Sequence, residues 1–304
     1  MGKLSIPFLL ALILQGPAAD PAAAQPEPAA GLRVEPYGAP LGKGELREPL
    51  GIDVDTGGNV YAADAMTGKV FRFSPDGTVI EFENPPRNSS IYPIDLAVDG
   101  SFVYVLDYTA GNLLRYDDRG SYLDILISYS SLERTQPVSV TSGGGGRLVT
   151  TDFKNSAVTV WTPLLDVELS WSAYGRAEGA FDRPAKAAIL HGERIAVADL
   201  GNRRVQLFSP AGAFMQTLSP PDSVPFIGPR CLCADKDGNL FVADTGGGAL
   251  YVFSPGGALL LRIDSYLGDA ISPSAVAAGW NDDLYVADLA SRSILVFRLS
   301  SPGK

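Results

Sequence analysis

The sequence has little of several residue types on which enzyme sites often depend. Among its 304 residues there are one histidine and two cysteines, and charged residues make up only 19%. A single histidine excludes mechanisms that need a histidine cluster, including a three-histidine zinc site. Two cysteines cannot form a disulfide framework. Basic residues are also scarce, with 24 Lys and Arg against 34 Asp and Glu, which argues against binding to nucleic acid.

Long hydrophobic runs are absent apart from one near the N-terminus. Residues 4–14 (LSIPFLLALIL) are interrupted by Pro7 and are too short to span a bilayer. The run predicts a signal peptide over residues 1–24, with a cut after Ala19 or an uncleaved anchor as the alternatives. Residues 25–31 (QPEPAAG) are then a linker. We therefore expect an exported protein, secreted or periplasmic, with no membrane span.

What the sequence has in abundance is repetition. A proline recurs at steps of 44, 44, 47, 45 and 44 residues, an apolar run ending in aspartate follows each proline, and an aromatic residue stands nine positions after each aspartate. The prolines are Pro49, Pro93, Pro137, Pro184, Pro229 and Pro273; the aspartates are Asp64, Asp107, Asp152, Asp199, Asp244 and Asp288; the aromatics are Phe73, Tyr116, Trp161, Phe208, Phe253 and Phe297. Each unit contains four short strands separated by turn signals, which is typical of a β-propeller blade.

The ends of the repeat array predict how the ring closes. The sixth unit stops at Leu299 after its third strand, and residues 32–37 (LRVEPY) are a strand-like segment before the first unit. Placing that segment as the missing outer strand leaves few edges exposed. We therefore predict one all-β domain over residues 32–304, a six-bladed β-propeller of four-stranded blades, closed by an N-terminal strand that completes the last blade. In this fold the repeated aspartate caps the turn after its strand, and the aromatic fills the gap between neighbouring sheets.

The innermost strand of each blade starts at the repeated proline, and its alternate residues face the central channel. The second and fourth residues after the prolines place Asp53, Asp95, Lys186, Cys231 and Cys233 there. Asp53 and Asp95 could hold Ca²⁺ or Mg²⁺ together with water, but we favour a solvated channel without a metal, because Lys186 opposes cation binding. For the two cysteines, channel-lining thiols are favoured over a strained disulfide.

One face of the predicted ring carries the loops that enter each inner strand and the loops between second and third strands. Its mixed charge suits a protein or a small polar ligand. Its charged and aromatic residues are Lys43, Glu45, Arg47, Arg87, Tyr92, Arg134, Arg176, Glu178, Arg183, Asp222, Arg230 and Asp269. The lone histidine, His191, lies in a turn on the opposite face and is predicted to be solvated rather than catalytic.

The repeated unit resembles the NHL repeat. The segments that carry the resemblance are VADLGNRRVQLFSPAG in blade four and CADKDGNLFVADTGGGALYVFSPGG in blade five, although the third-strand arginine of the motif is present only as Arg204. The resemblance covers residues 32–300 and implies a six-bladed propeller. It implies no single function, because NHL-like propellers include binding modules, RNA-binding domains, amidating lyases and relatives of the gluconolactonase group.

Two functions remain open. The favoured interpretation is a binding or scaffold module, without a cofactor, for a protein or small polar ligand on the loop face. The alternative is a metal-dependent hydrolase, a lactonase resembling the gluconolactonase group, whose members hold a metal in the channel with Glu, Asn and Asp ligands. Asp53 and Asp95 would then hold Ca²⁺ or Mg²⁺. Lyases that rely on several histidines are excluded, because His191 is alone.

Overall fold

The computed structural model describes residues 32–86, 90–129 and 135–300, so the predicted signal peptide and linker lie outside the described residues. The described residues form six antiparallel four-stranded sheets in a ring, and each inner strand contacts the inner strands of both neighbouring blades. The predicted six-bladed β-propeller is confirmed. No helix among these residues is long and apolar enough to cross a membrane.

The strands follow the chain outward within each blade. Blade one contains β2 (Pro49–Val54), β3 (Val60–Asp64), β4 (Lys69–Phe73) and β5 (Val79–Glu81); blade two β6 (Pro93–Asp99), β7 (Phe102–Asp107), β8 (Asn112–Asp117) and β9 (Tyr122–Ser128); blade three β10 (Pro137–Ser142), β11 (Leu148–Asp152), β12 (Ala157–Trp161) and β13 (Val167–Ser172). Blade four contains β14 (Pro184–Ile189), β15 (Ile195–Asp199), β16 (Arg204–Phe208) and β17 (Phe214–Leu218); blade five β18 (Pro229–Ala234), β19 (Leu240–Asp244), β20 (Ala249–Phe253) and β21 (Leu259–Ile263). The short hairpin β22 (Ser265–Tyr266) and β23 (Asp269–Ala270) precedes blade six, which contains β24 (Pro273–Ala278), β25 (Asp283–Asp288) and β26 (Ser293–Ser300). Within the described ranges, short 3₁₀-helices span His191–Glu193 and Leu200–Asn202.

An N-terminal strand closes the ring as predicted. Strand β1 (Arg33–Pro36) pairs antiparallel with β26, so the sheet order of blade six is β1-β26-β25-β24. The segment continues beside the sheet, where the Tyr37 amide donates to the Val296 carbonyl over 2.8 Å. Blade six is therefore built from both ends of the described chain.

The repeated aspartate has a wider role than the predicted turn cap. The Asp64 carboxylate accepts a hydrogen bond from the Thr67 amide in the following turn, as expected, over 2.9 Å. Its second oxygen accepts from the amides of Arg47 and Glu48, over 2.6 and 2.8 Å, in the loop that enters the same blade. Asp107, Asp152, Asp199, Asp244 and Asp288 make equivalent bonds to the loops that enter their own blades. The aspartate therefore fixes the backbone just before each inner strand.

The repeated aromatics lie between neighbouring sheets, as predicted. Five of the six are at most 4% exposed, and Trp161 is packed against a core cluster formed mainly by blades two and three. Phe208 is 1% exposed, and its ring centroid lies 5.5 Å from that of Trp171, 5.5 Å from that of Phe181 and 6.1 Å from that of Phe214. Each aromatic thus joins two blades through the core.

Truncation of Phe208 should test this packing directly. We expect Phe208→Ala to lower the free energy of unfolding by about 3–5 kcal/mol, because it opens a cavity among three rings, and urea denaturation measures the change. The control is Leu164→Ala, at a leucine that is 84% exposed, for which we expect a change within about 0.5 kcal/mol. A loss below about 1 kcal/mol for Phe208→Ala would contradict the buried position.

Candidate functional site

The channel contains a buried ion pair between blades that are not neighbours. Lys186 of blade four and Asp95 of blade two are 8% and 5% exposed, and Nζ of Lys186 lies 2.6 Å from Oδ2 of Asp95. Nζ also donates to the carbonyl oxygen of Val140 in blade three over 2.7 Å. Burial lowers the pKa of Lys186, but the charge and hydrogen bond of Asp95, together with Cys231 and Asp53, outweigh it and the pKa is raised. The expected solvated channel is instead closed here by a direct ion pair.

The whole layer around this pair is buried. The second residues after the six prolines are Gly51, Asp95, Ser139, Lys186, Cys231 and Ala275, and every one of them is buried. The oxygens of Ser139 and Thr151 lie 2.8 Å apart, and the Thr151 hydroxyl donates to the carbonyl oxygen of Ala185 over 3.2 Å. Polar groups in this layer are thus paired with protein partners.

Asp53 lies one layer further along the channel and is held by backbone amides. Its Oδ2 accepts from the amide of Val98 over 2.8 Å, and its Oδ1 accepts from the amide of Val54 over 2.9 Å. Burial raises the pKa of Asp53 to about 6, although the two amide hydrogen bonds and Lys186 act to lower it. The carboxyl group is therefore oriented by the fold on both oxygens.

The residues present do not fit a divalent cation at Asp53 and Asp95. Ca²⁺ takes about six to eight oxygen ligands, whereas Lys186 stands at hydrogen-bond distance from Asp95 and Asp53 accepts from two amides. Within residues 32–86, 90–129 and 135–300, no group of three or more His, Cys, Asp or Glu side chains could hold a metal ion. The carboxylates of this channel serve an ion pair and the backbone.

Cys231 and Cys233 are both free thiols in β18. Sγ of Cys231 lies 3.9 Å from the carbonyl oxygen of Val276. Burial raises the pKa of Cys231, and it raises the pKa of Cys233 well above the usual value for a thiol. Both groups are therefore protonated near neutral pH and are poor nucleophiles.

Every inner strand contains a β-bulge directly after its proline, which simple alternation does not predict. In blade five, Pro229 pairs with Asp244 and Cys231 pairs with Ala243, so Arg230 is the extra residue. The same register shift occurs in the other five blades. A bulge re-aims the side chain of its extra residue. The six bulge residues are Leu50, Ile94, Val138, Ala185, Arg230 and Ser274.

Arg230 is the one charged member of this ring of bulge residues, which lies at the loop-face end of the channel. Its Nη1 donates to the carbonyl oxygens of Leu50 and Ser274, each over 2.9 Å, and so reaches from blade five to blades one and six. Within the described residues, its Nε and Nη2 donate no hydrogen bond. Burial lowers the pKa of Arg230, but an arginine remains charged. Arg230 is therefore a fixed cation at this end of the channel. We call this end of the channel, around Arg230, the loop-face mouth.

Glu48 and Tyr92 lie beside Arg230 at the loop-face mouth. Each stands just before an inner strand, where the repeated aspartate holds its amide: Asp64 accepts from Glu48 over 2.8 Å and Asp107 from Tyr92 over 2.9 Å. Glu48 is only 8% exposed. Burial and the charge of Asp64 raise the pKa of Glu48, whereas Arg230 and hydrogen bonding with Tyr92 lower it, and the net direction is upward. Burial and Glu48 raise the pKa of Tyr92 to about 12.

The other side of the mouth is more apolar. Tyr108, Phe153 and Leu289 each follow a repeated aspartate and pack against a core cluster that includes three bulge residues. Gln136 donates from Nε2 to the hydroxyl of Tyr108, and its backbone amide donates to Asp152 over 2.9 Å. The mouth thus joins an apolar wall to a polar side made of a carboxylate, a phenol and a guanidinium.

Only part of this site is predicted by the sequence. The loop-face prediction includes Tyr92 and Arg230, but it does not include Glu48, Tyr108 or Gln136. A positional signal could have found all five, because each lies next to a repeated proline or aspartate.

Most of the other loop-face residues are simply exposed: Lys43, Glu45, Arg47, Arg176, Glu178, Asp222 and Asp269. Arg183 is partly buried, and Arg87 and Arg134 lie outside the described residues. His191 is exposed in its short 3₁₀-helix on the opposite face, in agreement with the prediction of a solvated turn residue.

Comparison with known sequences identifies no family. No protein-family model matches the chain, and no curated protein matches it either. The resemblance to the NHL repeat therefore stays a prediction.

The fold itself is shared with solved propeller enzymes. A gluconolactonase from Xanthomonas campestris is 18% identical with a TM-score of 0.65, over 91% of this chain and 100% of that chain. Virginiamycin B lyase from Staphylococcus aureus is 15% identical with a TM-score of 0.57, over 84% and 81%. A luciferin-regenerating enzyme is 14% identical with a TM-score of 0.64, over 90% and 96%. Likeness at such low identity shows a common propeller fold and leaves the reaction open.

Proposed function

We propose that this chain is an exported propeller hydrolase that hydrolyses a small polar ester or lactone at the loop-face mouth. The observation that carries the proposal is the Glu48 carboxyl group, buried and with a raised pKa, beside Tyr92 and the fixed guanidinium of Arg230. Perturbed titratable groups of this kind cluster at functional sites. The hydrolase alternative is thus preferred over the binding module, with its site at the mouth instead of at Asp53 and Asp95.

Each polar group has a role in the proposed reaction. Glu48, when ionised, takes the proton from a water molecule as that water attacks the carbonyl carbon, and its raised pKa makes it a stronger base than an ordinary carboxylate. The C–O bond between the carbonyl carbon and the leaving oxygen then breaks, and protonated Glu48 returns the proton to that oxygen. Arg230 stabilises the negative charge that develops on the carbonyl oxygen, and it is already held in place by two backbone carbonyls. Phe153 and Leu289 offer apolar surface to the carbon skeleton of the substrate.

The similarity to solved propeller enzymes supports the hydrolase proposal over the binding module, since one of them is named as a gluconolactonase. The proposed chemistry uses no cation at Asp53 and Asp95, because Lys186 and backbone amides already engage those carboxylates. The second candidate is binding of a small polar anion without turnover. It is favoured by the same Arg230, because a guanidinium with two uncommitted nitrogens suits a carboxylate.

Variants at the mouth separate these functions. We expect the purified protein to hydrolyse members of a panel of sugar lactones, and Glu48→Gln to lower kcat by about 10²–10⁴ with a small change in KM. Arg230→Gln should lower kcat/KM by about 10²–10³. Activity should rise as the pH passes through the raised pKa of Glu48, because the ionised carboxylate is the base. This rise with pH should be absent in Glu48→Gln. Asp222→Asn on the exposed loop face is the control.

Other outcomes would contradict the hydrolase. Calorimetric binding of a sugar acid that depends on Arg230, without turnover of any lactone, would support the binding module. If EDTA abolished the activity and Ca²⁺ or Mg²⁺ restored it, the result would support the metal-dependent hydrolase instead. Equal activity of the wild type and Glu48→Gln would show that the carboxylate is not the base.

A further inference from the structure

A cavity lies on the face opposite the loop-face mouth, where the ring closes. It has a volume of about 790 Å³ and lies between blades one and six. Its walls are the hairpin turns of these two blades and the segment that follows β1, and we call it the seam groove. The residues used below are Tyr37, Asp55, Trp280, Asn281, Asp283 and Arg298. Its volume falls within the roughly 300–1,000 Å³ of small-molecule sites.

Trp280 in the seam groove has no structural role that the fold requires. It stands in the turn after the inner strand β24 and is 65% exposed. The same turn position is occupied in the other five blades by Thr56, Gly100, Gly144, His191 and Lys236. The turn therefore forms without an aromatic residue, and an exposed tryptophan at the wall of a cavity indicates a contact with another molecule.

The facing wall is a rigid polar edge. Cζ of Arg298 lies 3.9 Å from the centroid of the Tyr37 ring, which is 48% exposed. Nε of Arg298 donates to Oδ1 of Asp283 over 2.6 Å, and Nδ2 of Asn281 donates to Oδ2 of the same carboxylate over 2.6 Å. The guanidinium and the amide are thus held in fixed orientations before any ligand arrives.

The charges of the groove are matched within the protein. Asp283 is paired with Arg298. The carboxylate of Asp55 accepts from the amides of Gly57 and Asn59, from the Asn59 side chain and from the Tyr61 hydroxyl. With two carboxylates and one guanidinium, the groove does not favour an anion. Both carboxylates already have partners within the protein, so neither is left to bind a cation. The chemistry points to an uncharged ligand.

We propose that the seam groove binds a neutral oligosaccharide. A pyranose ring has an apolar face of C–H groups that packs on an aromatic ring, and a rim of hydroxyl groups that need fixed donors and acceptors. The groove offers both, with Trp280 and Tyr37 as the aromatic surfaces and Asn281, Asp283 and Arg298 as the polar edge. This site is independent of the proposed hydrolase, because it lies on the opposite face and shares no residue with the mouth.

The test is binding to an array of neutral and acidic oligosaccharides, followed by calorimetry on the neutral compounds retained. We expect neutral oligosaccharides to bind, and Trp280→Ala to weaken binding by roughly tenfold or more, as for a tryptophan anchor. Trp280→Phe should keep part of the affinity, because it keeps an aromatic face. Glu48→Gln should bind like the wild type while losing lactone hydrolysis, so failure of one proposal is distinguishable from failure of the other.

Leu164→Ala is the matched control, since Leu164 is also a large exposed side chain in a hairpin turn but lies in blade three. The melting temperature of Trp280→Ala should equal that of the wild type, because the side chain is mostly exposed. Absence of neutral oligosaccharide binding at millimolar concentration would overturn the proposal. Equal affinity of Trp280→Ala and the wild type, or a preference for acidic sugars, would overturn it as well.

Discussion

Replacement of Lys186 by methionine is expected to lower the free energy of unfolding by about 3–5 kcal/mol, because it leaves Asp95 as an uncompensated buried charge. Lys186 is 8% exposed, and its ammonium group contacts both Asp95 and the carbonyl oxygen of Val140. Methionine keeps most of the volume of the lysine stem, so the change removes charge and hydrogen bonds more than packing. Urea denaturation at neutral pH measures the loss.

A surface pair in the same chain provides the control. Lys236 and Asp282 also form an ion pair, but their side chains are 29% and 39% exposed. We expect Lys236→Met to cost about 0–1 kcal/mol, because exposed pairs contribute little. Combining Lys186→Met with Asp95→Asn should recover most of the loss, since no charge then remains unpaired. A cost below about 1 kcal/mol for Lys186→Met would show that the channel is hydrated and the pair is not buried.

Deletion of residues 32–37 is expected to lower the melting temperature by roughly 10 °C and to promote aggregation. The deletion removes β1, whose register runs from Arg33 opposite Ser300 to Pro36 opposite Phe297, and it uncovers the edge of β26. It also removes Leu32 and Val34, which pack on the largest core cluster. A loss of several kcal/mol in a chain of this size corresponds to a shift of this order, and an exposed strand edge can pair with another copy.

Circular dichroism and light scattering during heating measure both effects. The control is deletion of residues 25–30, the predicted linker, for which we expect the melting temperature of the wild type. Equal melting temperatures for the two truncated proteins would show that β1 does not hold the ring closed.

The six-bladed fold was predictable because the contacts between blades are the same at every junction. A proline that starts the inner strand, an aspartate that ends the next and an aromatic between sheets therefore recur in the sequence, as Pro229, Asp244 and Phe253 do in blade five. The closing strand was predictable because a propeller blade needs four strands and the last unit supplies three. These inferences rest on chemistry that repeats.

The candidate site was less predictable, because it rests on differences between blades. The alternation rule assumes a regular ladder, whereas each inner strand has one extra residue after its proline, and in blade five this residue is Arg230. Glu48 stands next to the repeated Pro49, but the hydrogen bond that joins its amide to Asp64, sixteen residues away, is not visible in the sequence. Lys186 was expected to repel a cation in the channel, but the span of its side chain to Asp95 past blade three could not be deduced from spacing.

The buried layer around Lys186 and Asp95 blocks movement of molecules through the centre of the ring. A ring of six sheets could enclose a channel open at both ends, but this layer closes the channel between the two faces. If the loop-face mouth is the active site, as proposed, a substrate that enters there must leave as product by the same opening. The two faces of the ring are then not connected through its centre, and a ligand of the proposed seam-groove site would not reach Glu48 by that route.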